Sequence, residues 1–269
     1  MIQLTIIRIE GYGPWTITLG SDREAHIQML QARVYYDLQR VFSEHGCLVF
    51  SNRFDEYFAI TNGLAANDHV TIGCELAKLY NNLKLSIAIG RGATAFEANL
   101  KAHKARKDAK ATGNATGSSK SETLVFGNGL TNGLRKDDDD AGDNMVQLMH
   151  IDVDSSTKIS SRLSPYEITY LVSKIYAKLS EAFLKESSLT FFLGGDNFMV
   201  ISNGVTKDEA IKIITGKTVT QDLDIKLNCG IGVGRNAKTA AAAATEALDT
   251  IRSLRNKGRI QSVYEIRCL

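Results

Sequence analysis

Residues 48–63 read LVFSNRFDEYFAITNG and residues 189–204 read LTFFLGGDNFMVISNG, and the two stretches align without a gap. Leu48, Phe50, Asp55, Ile60, Asn62 and Gly63 fall on Leu189, Phe191, Asp196, Ile201, Asn203 and Gly204 at one constant offset. An apolar run, a short polar centre, a second apolar run and an Asn-Gly stop are the pattern of a β-hairpin with an acidic tip. The repeat extends outward from the hairpin. Upstream, QLTIIRIE closing on Glu10 is similar to QLMHID closing on Asp152, each a strand ending in a carboxylate. Downstream, KLSIAIGRGATAFEA (84–98) matches KLNCGIGVGRNAKTA (226–240), a strand running into a glycine-rich turn and a helix.

Between first strand and hairpin each half carries a long amphipathic stretch with a helix-start signal. Ser21-Asp22-Arg23-Glu24 reads as a capping box in the first half, with Gly46 just past the helix end. Ser164-Pro165-Tyr166-Glu167 is a second box with proline at the first helical position, and Thr206-Lys207-Asp208-Glu209 a third. Each half therefore reads β-α-β-β-α-β, and the expected fold is α+β, a tandem duplication of ferredoxin-like domains. The expected domains are 1–111 and 144–269. They flank a connector at 112–143, TGNATGSSKSETLVFGNGLTNGLRKDDDDAGD, whose composition is poor material for a core. Its Asp137 to Asp140 run reads as a solvated charge block.

Composition serves mainly to exclude. Of 269 residues 43% are hydrophobic and 23% charged, with a formal net charge of +2, so bulk electrostatics give no reason to expect nucleic acid as a partner. No uncharged apolar run nears the roughly 18 residues of a membrane span, and Met1 to Arg8 reads as a strand rather than a leader. Cys47, Cys74, Cys229 and Cys268 form no CxxC pair, which argues against a zinc site or a disulfide framework and fits a cytoplasmic protein.

The second half holds the better candidate site. Asp152 and Asp154 stand at spacing two at a strand end, hence on one face, and Gly194-Gly195-Asp196-Asn197 forms a hairpin tip. In the split βαβ topology that strand and hairpin are neighbours, so Asp152 and Asp196 converge. Carboxylates at strand ends suit Mg²⁺, which takes oxygen ligands and substrate phosphates. Gly194 and Gly195 leave the backbone open to a ligand's phosphates, and Ser155 to Lys158 offer hydroxyls, amides and an ammonium. Gly230-Ile231-Gly232-Val233-Gly234-Arg235 begins inside a strand and so reads as close packing against a helix, the run Ala240 to Ala244 being that helix's face. In the first half Arg53 and Phe54 replace the two glycines. Glu10, Asp55 and Glu56 remain, either as ligands for a cation or as parts of a structural half. Tyr12-Gly13-Pro14-Trp15 pairs two aromatics beside a rigid turn, either a stacking platform for a purine or half-buried core.

Asp152-Val153-Asp154, Gly194-Gly195-Asp196-Asn197-Phe198, the strand from Cys229 and the helix bearing Arg252 resemble the GGDEF-type nucleotidyl cyclase, or polymerase palm, domain. Asn197 stands where cyclases usually have Glu. Over the whole chain, Tyr12 to Thr16, Arg53-Phe54-Asp55, His150-Ile151-Asp152 and Gly194 to Met199 resemble the archaeal GTP cyclohydrolases of type III. That resemblance implies GTP as substrate, hydrolysis at guanine C8 and cleavage of the triphosphate. The products would be a formamidopyrimidine ribonucleotide monophosphate and phosphate. It implies Mg²⁺, two ions, held by Asp152, the Val153 carbonyl and Asp196, with a monovalent cation as a further candidate. Asp152, Asp196 and Asn197 are the candidate catalytic residues. Asp154, Ser155, Lys158, Gly194, Gly195, Arg235 and Arg252 are candidates for the phosphates, and Tyr12 and Trp15 for the base. A homo-oligomer is expected, since exposed sheets of such domains commonly pair. The alternatives are a cyclase that keeps the purine ring and a non-catalytic nucleotide sensor.

Overall fold

The structure, a computed structural model, describes residues 1–80, 83–111, 122–126, 145–216 and 225–268. The chain divides into two compact units, Ile2–Gly92 with Glu97–Asn144, and Met145–Leu269 with Met1 and Ala93–Phe96. In the first, β1 (Ile2–Glu10), α1 (Tyr12–Ile17), α2 (Glu24–Glu44), β2 (Leu48–Arg53), β3 (Glu56–Ile60), α3 (Ala66–Leu79), β4 (Lys84–Gly92), α4 (Ala95–Ala111) and β5 (Glu122–Phe126) follow in order. In the second come β6 (Val146–Val153), α5 (Ser156–Ser160), α6 (Pro165–Lys185), β7 (Leu189–Gly194), β8 (Asn197–Ile201), α7 (Lys207–Thr215), β9 (Leu227–Gly234), α8 (Ala237–Asn256) and β10 (Val263–Arg267).

The sheets run β2-β3-β1-β4-β5 and β10-β9-β6-β8-β7. Without the added edge strands β5 and β10, both show the ferredoxin-like order, with the first strand of each unit between its hairpin and its last strand. All pairings within those four-stranded cores are antiparallel. The strand Glu122–Phe126 lies inside the stretch expected to be connector. Its Thr-Leu-Val-Phe core favours the extended state, and it pairs antiparallel with β4. The rest of that stretch, with Asp137 to Asp140, lies outside the described residues.

Local chemistry accounts for the elements. The Ser164 hydroxyl accepts from Glu167 N–H while the Glu167 carboxylate accepts from Ser164 N–H, and Thr206 and Glu209 repeat the exchange. Helix α6 then buries Val172, Ile175, Leu179 and Phe183, a spacing that gathers one face over the sheet. Each such side chain stabilises the unit by about 1.5–3 kcal/mol. The box at Ser21 does not form: Glu24 is the first residue of α2 rather than its third, so its carboxylate cannot reach back, and Arg23 caps with no side-chain bond. Tyr12 to Ile17 is a short helix, not a turn, and Pro14 fits because a helix's first N–H groups have no partner in any case.

Two residues fix the register of the repeat. The Gln3 side chain donates to the carbonyls of Thr61 and Leu64, and its N–H donates to Asn62 Oδ1. The Gln147 side chain donates to the carbonyls of Ser202 and Val205, and its N–H donates to Asn203 Oδ1. With Gln3 on Gln147, Arg8 facing Glu56 takes the place of Asp152 facing Asn197. Glu10 thus corresponds to Asp154 and not to Asp152, as the terminal carboxylates had suggested. A two-residue slip leaves the inward and outward pattern of a strand unchanged, so alternation could not separate the two registers.

Both faces of each sheet are covered. Met149, Ile151 and Val153 pack with residues of α6 and α7, while His150 and Asp152 turn toward α8. There the glycines of β9 bring the helix close: a Cβ on Gly232 would sit 2.0 Å from the Ala240 carbonyl oxygen. The glycine-rich stretch is therefore a packing device, as its position inside the strand implied.

The first unit also buries a polar knot. The Thr5 hydroxyl meets Thr61 Oγ1 at 2.8 Å and His69 Nε2 at 3.0 Å, and His69 Nδ1 lies 3.0 Å from the Ala65 carbonyl oxygen. Burial pushes the His69 imidazole down to about 4 from 6.5. Protonation then favours the unfolded chain, so this contribution is complete above pH 6.5 and is lost as pH falls through 4. The change expected is about 3 kcal/mol. Urea melts at pH 7.5 and pH 4.5 should show a smaller pH effect in His69→Leu than in the wild type. An equal pH effect in both proteins would refute the assignment.

Candidate functional site

The candidate site gathers where β6 ends beside the β7–β8 hairpin tip and the last turns of α8. Asp152 lies opposite Asn197 on one side and Asn228 on the other. It is 5% exposed, so its charge needs partners. Asn228 Nδ2 donates to its Oδ1 at 3.0 Å and Arg252 Nη2 to its Oδ2 at 2.6 Å. Asp152 in turn raises the guanidinium pKa of Arg252. Asp154 sits on the same face, as alternation requires, and accepts from Arg255 Nη1. Arg255 also donates to Asn228 Oδ1 at 2.9 Å, which closes a network of two carboxylates, two arginines and an amide.

The hairpin tip adds the third acid. Gly194 and Gly195 have φ of 114° and 61°, a conformation that favours glycine. A Cβ on Gly194 would meet nothing within 4 Å, so the backbone there faces open space. Asp196 Oδ1 accepts from Asn197 Nδ2 at 3.0 Å, and Asn197 Oδ1 lies 3.1 Å from His150 Nε2. His150 Nδ1 lies 3.1 Å from the Thr245 hydroxyl. Burial lowers the pKa of His150, opposed by its bond to Asn197. An amide oxygen only accepts, so Nε2 carries the proton and Nδ1 accepts from Thr245.

Of the candidate residues, the structure sets Asp152, Asp154, Gly194, Gly195, Asp196 and Asn197, and with them Arg252, which the resemblance had supplied, at one end of one sheet. Buried Val153 ends β6 beside them. Ser155 takes a left-handed conformation and donates to Asp154. The side chain of Lys158 lies outside the described residues. Arg235 does not join the site. It follows β9 at the end remote from Asn228, and seven residues of strand span about 23 Å. Tyr12 and Trp15 belong to the first unit, where both rings pack against its core and lie 6.0 Å apart, tilted by 39°. That geometry matches half-buried core more closely than an open stacking face. His150, Thr245, Asn228 and Arg255 were missed. Asn228 and His150 share the strand face of Asp152, and Arg255 follows Arg252 by one helical turn, so face periodicity was the available signal.

The first unit's equivalent tip is neutralised from within. Arg8, standing where Asp152 stands, pairs with Asp55 and Glu56 at 3.4 Å each, and Arg53 pairs with the same two carboxylates. Glu10 accepts from Arg106 and Ser86.

The second site's donors fit a hard divalent cation. Asp152 is a buried carboxylate already matched to one positive charge, with carbonyl and carboxylate oxygens beside it. Among the described residues no three His, Cys, Asp or Glu side chains form a ready-made metal cage. Mg²⁺ would complete its shell with phosphate and water oxygens, as it commonly does. No described helix is long and apolar enough to cross a membrane.

The family model described as GTP cyclohydrolase III matches residues 1–265. A protein of Methanosphaera stadtmanae named GTP cyclohydrolase III is 35% identical over 257 residues, 94% of each chain. One of the same name from Methanocaldococcus jannaschii is 36% identical over 253 residues, 94% of this chain and 88% of the relative. Among solved structures, the active GGEEF domain of a Vibrio cholerae diguanylate cyclase gives a TM-score of 0.34 at 15% identity, over 45% of this chain and 83% of that one. The GGDEF domain of DgcB from Caulobacter crescentus, in complex with c-di-GMP, gives 0.35 at 11% identity, over 65% and 94%.

Proposed function

The chain belongs to the GTP cyclohydrolase III family, and from that premise we propose that it is a Mg²⁺-dependent enzyme that hydrolyses GTP at guanine C8 and cleaves the triphosphate. The products are a formamidopyrimidine ribonucleotide monophosphate and two orthophosphates, one water being consumed at each phosphoanhydride cleaved. The observation that carries the reading is Asp152, paired with Arg252 and opposite Asn197, at a strand end beside the hairpin tip that bears Asp196 and the open Gly194-Gly195 backbone. Asp152, Asp196 and the Val153 carbonyl would hold the cation, which when bound offsets charge on the phosphate oxygens and activates water.

The chain's own groups carry the rest. Gly194 and Gly195 let phosphates approach main-chain N–H groups without side-chain interference. Arg252 presents a guanidinium whose fork geometry suits phosphate as well as the carboxylate it holds here. Arg255 and Asn228 keep Asp154 and Asp152 aligned, so the carboxylates need not reorganise when the anion arrives.

Incubation with GTP and Mg²⁺, followed by ultraviolet absorbance and by phosphate release, tests the proposal. Ring opening shifts the guanine spectrum and liberates orthophosphate, the expected result. An unchanged ring with pyrophosphate release would make the protein a cyclase instead, and no change in either would make it a nucleotide-binding sensor.

A further inference from the structure

We propose that Thr245, His150 and Asn197 form a directed hydrogen-bond relay that orients the Asp196 carboxylate, with His150 as its positioning residue. The inference rests on the reading of Asp196 as a ligand in the proposed site and deepens it. Asn197 has one accepting and one donating end, and both are used: its oxygen faces His150 Nε2 at 3.1 Å and its nitrogen donates to Asp196 Oδ1 at 3.0 Å. A Glu at this position would have no donor and would set a second carboxylate against Asp196. The side-chain amide is therefore required here rather than a weakened acid. Its orientation forces the proton of His150 onto Nε2, which leaves Nδ1 to accept the Thr245 hydroxyl at 3.1 Å. Each link fixes the direction of the next, from α8 across β6 to the hairpin tip.

The internal duplication supplies a control. Ile6 faces Phe58 in the first unit as His150 faces Met199 in the second, and Ile6 is buried there as plain core. The fold accepts an apolar side chain at this position, so an imidazole is not needed for packing. It occurs in the copy that also carries Gly194, Gly195 and Asp152. In the other copy Arg8 binds the tip carboxylates directly, and no orienting relay is needed.

Three variants test the relay: His150→Leu, His150→Gln, whose amide can donate to Asn197, and Thr245→Val. Mn²⁺ affinity measured by electron paramagnetic resonance, kcat and KM for GTP, and thermal melting are read on each. His150→Leu is expected to melt near the wild type yet lose about 10–100-fold in Mn²⁺ affinity and in kcat. KM should change less than kcat. His150→Gln should recover most of the loss, and Thr245→Val should lose a few-fold. Wild-type Mn²⁺ affinity and kcat in His150→Leu would overturn the relay, as would equal losses in the Leu and Gln variants. If His150→Leu does not fold, Thr245→Val decides: a loss in Mn²⁺ affinity supports the relay and an unchanged value overturns it. A wild-type protein that neither binds Mn²⁺ nor opens GTP would instead refute the function proposed above, a result distinct from failure of the relay.

Discussion

Asp152→Asn is expected to lower GTP turnover at least about 1,000-fold, a loss of about 4 kcal/mol of transition-state stabilisation. Asp152 is the most buried acid of the site, and the substitution keeps its shape while removing the charge that would hold the cation. Stability should change little, and the reason lies in its partners. Removing one member of a buried pair is costly when the other charge stays buried. The Arg252 side chain, however, is 54% exposed and can return to water. Its pairing is then worth about 1 kcal/mol or less. Turnover measured by ring-opening absorbance and phosphate release, beside a thermal melt, separates the two effects. Activity within tenfold of the wild type would refute the role of Asp152, and a collapsed melt would show it to be structural.

Gly232→Ala should produce one of the largest stability losses of any single methyl group added to the second unit. The new Cβ would lie 2.0 Å from the Ala240 carbonyl oxygen and 2.3 Å from Ala244 N, both helix backbone. No side-chain rotation relieves such a clash, so α8 must move off the sheet. Overpacking of this kind costs about 3 kcal/mol, the upper end of its usual range. The same helix carries Thr245, Arg252 and Arg255, all bonded to the site. A displacement of about 1 Å can cost about 100-fold in rate, so turnover should fall in whatever fraction remains folded. A thermal melt checks the first effect, and a midpoint temperature within about 2 °C of the wild type would contradict it.

Much of the fold was written in local chemistry. The hairpins announced themselves because a tight turn needs particular residues at particular spacings, and the Asn-Gly stops proved to be caps on Gln3 and Gln147. Ser164 and Thr206 marked true helix starts because their acids sit three residues on, inside the helix. Ser21 has the same spacing and fails, since the letters alone do not say where helical dihedrals begin. The candidate site's placement was legible wherever strand-end position decided it, as for Asp152, Asp154 and Asp196. It was illegible wherever a partner came from another element. Nothing near Thr245 in the chain points to His150, and the remoteness of Arg235 appears only once β9 is laid along β6. The Glu10 pairing failed for a subtler reason, since a slip of two residues keeps every side chain on its own face.

The duplication is thus asymmetric in chemistry. One copy presents Asp152 where the other presents Arg8, and with that exchange the tip proposed to bind a cation becomes a closed set of ion pairs. Calorimetric titration with a non-hydrolysable GTP analogue in the presence of Mn²⁺ tests this most directly, on the wild type, Asp152→Asn and Asp55→Asn. One nucleotide should bind per chain, with binding lost in Asp152→Asn and retained in Asp55→Asn. Two nucleotides per chain, or binding that survives Asp152→Asn and fails in Asp55→Asn, would contradict it.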